Sequence, residues 1–141
     1  MPTVIVIALF FSTFHPINYY FSECYTMCTQ PSPYNWSGKL YTHHGEAIQI
    51  YLHSTVLPAL QDTRGQGGTI LLSELKLRWS NHQIMNKWFE KFFRYLDRHY
   101  VKQHSLPSLK QVGLQHFKTE IYDNFKEDAT SIIISLINEE R

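Results

Sequence analysis

The chain is poor in several things, and each shortage narrows what it can be. Two cysteines among 141 residues are too few for a disulfide-stapled fold. Cys24 and Cys28 lie four apart, with no second pair and no histidine at ligand spacing, so they are expected to be buried free thiols in a reducing compartment rather than half of a zinc site. Charge is sparse at 18% and the formal net charge is +1, which argues against a protein that works by coating a polyanion. Long apolar runs are missing: Val4 to Phe11 (VIVIALFF) falls well short of the ~20 residues a membrane span needs. No Lys or Arg precedes that run, and bulky residues follow it where a cleavage site wants small ones, so two of the three parts of a secretory signal are absent. Two-residue alternation between hairpin turns is also missing, and no sheet is expected.

What remains is apolar and aromatic. Hydrophobic residues make up 43% of the chain, with nine Tyr, nine Phe and three Trp, which excludes a wholly disordered polymer. The length suits one domain with an ordinary core.

Periodicity places helices along most of it. A first runs over about Ile17–Thr29 and ends before Gln30-Pro31-Ser32-Pro33, since each proline pushes its predecessor out of the α region. Leu40, Tyr41, Ala47, Ile48, Tyr51, Leu52 and Val56 mark a second from about Ser37 to Gln61, which Pro58 should end or bend and in which Gly45 costs about 1 kcal/mol. After the loop Asp62–Thr69, a short helix spans Ile70–Trp79. Ser80 with Gln83 then reads as a capping box opening the strongest helix, Asn81 to about Gln103. Ser108 with Gln111 repeats the signal before Leu109, Val112, Phe117, Ile121 and Phe125, and a last helix starts near Glu127 with Ile132, Ile133, Leu136 and Ile137. The expected class is all-α, a bundle of about five helices.

Catalytic constellations are absent from the pattern. His43, His44 and Glu46 miss the spacing of a zinc hydrolase, and Gly65, Gly67 and Gly68 neither follow a strand nor precede a Lys-Ser/Thr. No catalytic residue, metal or cofactor is expected. A basic stripe is the more informative feature: Lys76, Arg78, Lys87, Lys91, Arg94, Arg98 and Lys102 stand against Glu74, Glu90 and Asp97, interleaved with aromatics. It reads as a nucleic-acid face, as a solvated helix face with pairs such as Glu90 with Arg94, or, fitting better than either, as a surface for an acidic protein partner with aromatic and Arg anchors.

Four stretches then become specific. YTMCTQ (Tyr25 to Gln30), STVLPAL (Ser54 to Leu60), LRWSNHQIMNKWFEKFFRYLDRHYV (Leu77 to Val101) and SLPSLKQVGL (Ser105 to Leu114) together resemble the amino-terminal part of a plant cullin of the class that nucleates SCF ubiquitin ligases. The similarity continues through SLINEER and covers about residues 20–141. It implies a scaffold, with residues 17–141 forming a five-helix cullin-repeat bundle, the first repeat only, in the cytoplasm or nucleus. In the family the first repeat grips a Skp-type adaptor carrying an F-box protein through its second and fifth helices, which correspond by position to about Ile17–Thr29 and Asn81–Gln103. Carried over residue by residue, the contact side chains are Phe21, Cys24, Tyr25 and Cys28 on one helix and His82, Met85, Asn86 and Phe89 on the other.

The departures matter as well. Residues 1–16 are an apolar segment where the family has a polar amphipathic helix, and Ile17 stands where it has the first of its docking tyrosines. The sequence stops at Arg141, near the end of the first repeat, so the expectation is a truncated cullin-like chain without the part that recruits a RING protein. A damaged gene copy without function fits the same two departures.

Overall fold

The computed structural model describes residues 17–31, 33 and 35–141, with side chains from Ser22 onward. The apolar segment 1–16 and the Phe21 side chain lie outside the described residues. Those described form five helical rods and no strand. α1 is Ile17–Thr29. α2 covers residues 37–64 as Ser37–Tyr51, a wider π turn at Leu52–Val56, and Leu57–Arg64. α3 is Gly68–Phe92. α4 comprises Arg94–Leu96 and a π turn at Asp97–Val101. α5 covers residues 109–139 as Leu109–Phe117, a π turn at Lys118–Tyr122, and Asp123–Glu139.

The π turns follow from the spacing of the buried residues. Ile48, Leu52, Val56 and Leu60 recur at strict intervals of four on α2, as do Leu109, Gly113, Phe117, Ile121 and Phe125 on α5, and all nine are buried. In a regular helix every four-residue step drifts about 40° around the axis, so either stripe would rotate out of the core within a few turns. One wider turn, closed by bonds such as Leu57 N–H to Leu52 O and Asp123 N–H to Lys118 O, brings the stripe back. Pro58 follows the first of these turns and is carried inside α2, which runs on to Arg64 instead of stopping near Gln61.

The main core joins these stripes of α2 and α5 to Leu71, Met85, Phe89 and Phe92 of α3. A smaller cluster of Cys28, Leu96 and Leu109 seats α1 and α4 on the bundle. Fully burying each of the larger side chains is worth roughly 1.5–3 kcal/mol. Phe93 packs against both clusters and leaves helical geometry to do so (φ −105°, ψ 24°), which is why the rod breaks between α3 and α4.

Two expected boundaries are corrected. No helix starts at Ser80: α3 runs unbroken from Gly68 to Phe92, because nothing ahead of Ser80 turns the chain out of the helix. The matching pattern at Ser108 does form its box. Pro107 precedes it, Ser108 is extended (φ −62°, ψ 157°), and its Oγ accepts from Gln111 N–H while Gln111 Oε1 accepts from Ser108 N–H. α5 likewise needs no restart at Glu127, since its π turn carries the helix through. Ser108→Ala is expected to cost about 1 kcal/mol, measured as a lower denaturant midpoint with an unchanged slope.

Gly113 sets the closeness of α3 to α5. A Cβ there would collide with the amide of Asn86, which presses on the glycine. Gly113→Ala is therefore expected to destabilise by about 1–3 kcal/mol in the same measurement.

Candidate functional site

α1 reaches the bundle through a short connector held by Asn35 and by a Trp36 N–H to Met27 O bond of 3.0 Å. Asn35 Nδ2 donates to Cys28 O at 2.9 Å while its Oδ1 accepts from Ser37 N–H at 2.9 Å, tying the end of α1 to the start of α2. Leu96 and Cys28 pack together beneath. α1 and α4 therefore lie side by side, and between them runs a groove of about 410 Å³ lined by Ser22, Tyr25, Phe92, Arg94, Tyr95, Arg98 and His99.

The aromatic floor of the groove is organised. Tyr25 meets Tyr95 edge-on at 4.8 Å between centroids, and Tyr95 packs against His99 at 4.2 Å. Tyr25 is nonetheless 53% exposed, so one side of its ring faces outward. Arg94 and Arg98 are exposed at the edge. A surface with tyrosine anchors and a basic margin suits a protein partner whose facing surface is acidic.

The residues expected from sequence distribute unevenly over this geometry. Tyr25 lines the groove. Cys24 is half-buried beside it; burial, followed by the neighbouring Cys28 thiol and Glu23, pushes its thiol up to about 11. Cys28 is buried, and burial raises its thiol against an opposing hydrogen bond from Ser37. Both are free thiols and poor thiolates, unsuited to nucleophilic or metal chemistry. His82, Met85, Asn86 and Phe89 all point into the bundle: Met85 and Phe89 belong to the main core, His82 Nε2 donates to Gly113 O at 2.8 Å, and Asn86 presses on Gly113. Their spacing is that of the core stripe which continues to Phe92, and a docking face on the same helix carries similar residue types.

The groove residues that position-by-position transfer missed lie just past the break at Phe93. The alternation of aromatic and basic residues in FRYLDRH was the available signal. The same break disposes of the expected Glu90–Arg94 pair, since the two no longer share a regular helical turn. The basic stripe is divided too. Arg78 is held by Glu74 at 2.8 Å, Lys91 lies over the Trp88 ring at 5.1 Å, and Arg94 and Arg98 turn to the groove.

Among the described residues no group of three or more His, Cys, Asp or Glu is placed to hold a metal ion, and no helix is long and apolar enough to cross a membrane. His43 and Glu46 form an exposed pair at 3.1 Å.

Comparison with known proteins agrees with the bundle. The family model of the cullin alpha solenoid domain matches residues 12–141. Cullin-1 of rice (Oryza sativa subsp. japonica) is 40% identical over 121 residues, covering 86% of this chain and 16% of that protein. Cullin-like protein 2 of Arabidopsis thaliana is 41% identical over 132 residues, covering 87% of this chain and 34% of its own length. Human Cullin-4A is 28% identical over 128 residues, covering 89% of this chain and 17% of that protein. The chain thus spans about a sixth to a third of the length of these relatives.

Proposed function

The chain belongs to the cullin family, and from that premise we propose that it is a docking platform that binds a Skp-type adaptor carrying an F-box protein. Its role is that of a scaffold in SCF-type ubiquitin-ligase assembly, with no chemistry of its own. The observation that supports this most is the groove between α1 and α4, which uses the two segments expected from the family resemblance and exposes Tyr25 beside Tyr95, Arg94 and Arg98. The side chains that meet the adaptor are those of the groove, so that on the second segment the contact belongs to residues 94–99 and not to the buried His82, Met85, Asn86 and Phe89.

Isothermal calorimetry of the whole chain against a purified Skp-type adaptor with an F-box protein tests the proposal. Binding in the micromolar range or tighter is expected. No heat at tens of micromolar overturns it. Binding instead to an oligonucleotide, with affinity falling steeply as salt rises, would assign the basic residues to nucleic acid.

A further inference from the structure

Among the described residues three of the four buried polar side chains, His44, His82 and Asn86, gather at the crossing of α2, α3 and α5, which the groove does not use; Ser37 lies apart at the start of α2. His44 of α2 is 5% exposed, enclosed edge-on by Phe89 at 5.2 Å and Phe93 at 5.7 Å. His82 of α3 is 3% exposed and packs against Phe117 at 4.8 Å and Trp79 at 6.3 Å. Asn86, one turn further on, is 5% exposed against Gly113 of α5. His116 of α5 is half-buried and faces the backbone of α2 at Gly45.

The hydrogen bonding there is incomplete. A carbonyl accepts, so the 2.8 Å contact with Gly113 O fixes the His82 proton on Nε2 and leaves Nδ1 as a bare acceptor. Neither ring nitrogen of His44, nor His82 Nδ1, nor either amide atom of Asn86 has a protein partner. An imidazole in such a setting is tolerated neutral and penalised when charged.

We propose that His44, His82 and Asn86, with His116 beside them, form an acid-sensitive latch that holds α5 against α2 and α3 while the imidazoles are neutral and releases it when they take up protons.

Desolvation, followed by repulsion from His116, lowers His44 to about 4. Burial lowers His82 as well, against the raising effect of its bond to Gly113 O, and His116 is lowered by burial against the raising effect of Glu120. The unfolded chain protonates these rings near the ordinary value of about 6.5. Between that pH and about 4 the unfolded state therefore binds more protons, and stability falls as pH drops through this window.

The other charged groups around the cluster do not reverse the sign. Glu120, on the π turn of α5, accepts from Gln49 Nε2 and His53 Nδ1 of α2, both at 3.3 Å. The His53 side chain is 70% exposed, so this contact is open to water and weak. His43 and Glu46 pair with each other on the outside of α2, and Arg78 with Glu74 one turn before His82 on α3.

The test is amide hydrogen exchange of the whole chain at pH 7 and pH 5, corrected for intrinsic exchange, with the imidazoles followed by NMR. Protection of residues 113–125 is expected to fall about tenfold or more in the native sequence. It should fall several times less in His44→Phe, and in His44→Leu should the first variant fold poorly. A latch is overturned if protection is independent of pH, if the fall in the folded His44 variant is as large as in the native sequence, or if the His44 and His82 rings titrate near their ordinary value while α5 stays protected.

Discussion

Replacing Phe125 with alanine is expected to remove about 3–5 kcal/mol of stability, which is a large part of the 5–15 kcal/mol that a domain of this kind possesses. Phe125 is 1% exposed at the end of the four-residue stripe of α5, and it packs with the stripe of α2 in the main core. The Arg64 guanidinium lies 4.7 Å above its ring and is itself tied to Asn124 O and to Asp128, and the rest of the ring is enclosed by the main core. A cavity there has little means of collapsing. Thermal unfolding followed by circular dichroism should show the midpoint falling by about 10 °C or more, while Phe125→Leu falls much less. Ile137→Ala provides the contrast: Ile137 is 53% exposed, and its loss should stay within about 0.5 kcal/mol. Equal losses at the two positions would contradict the stripe as the core.

The second large effect concerns binding. Tyr25→Ala is expected to weaken adaptor binding by about 2 kcal/mol, or about thirtyfold, because an aromatic anchor preset by a neighbouring ring carries a large share of an interface's energy. The edge-on contact with Tyr95 at 4.8 Å fixes the ring before the partner arrives, so little is spent on ordering it. Tyr25→Phe should retain most of the affinity. Arg98→Glu should act differently, slowing association and doing so most at low salt. Calorimetry and stopped-flow measurements separate the two. Unfolding midpoints near that of the native sequence would show that the loss lies in docking and not in the fold.

Much of this architecture was legible from residue spacing. The limits of α1, the capping box at Ser108 and the core members Ile48, Leu52, Val56, Phe117, Ile121 and Phe125 all follow from apolar periodicity and turn chemistry. The π turns were not expected: the four-residue intervals read as an ordinary helical face, and the widened turns that keep such a stripe in the core emerge only from the structure. What spacing does not show is where tertiary packing overrides a local signal. Ser80 with Gln83 has the letters of a cap, yet the helix passes through it; Phe93 has none of the letters of a break, yet two clusters compete for its ring and the helix yields.

The candidate site divides along the same line. Tyr25, carried over by position, lines the groove. His82, Met85, Asn86 and Phe89 sit at helical spacing with apolar or small polar side chains, and such a set serves a core as readily as a contact face. Tyr95 and His99 were hidden because the break at Phe93 changes which side of the rod faces α1.

Hydrogen exchange of the whole chain with and without a saturating Skp-type adaptor and F-box protein addresses the groove directly. Added protection is expected in residues 22–28 and 94–99, with little change in residues 132–139. Protection confined to the end of α5, or no change anywhere at saturation, would contradict docking in the groove between α1 and α4.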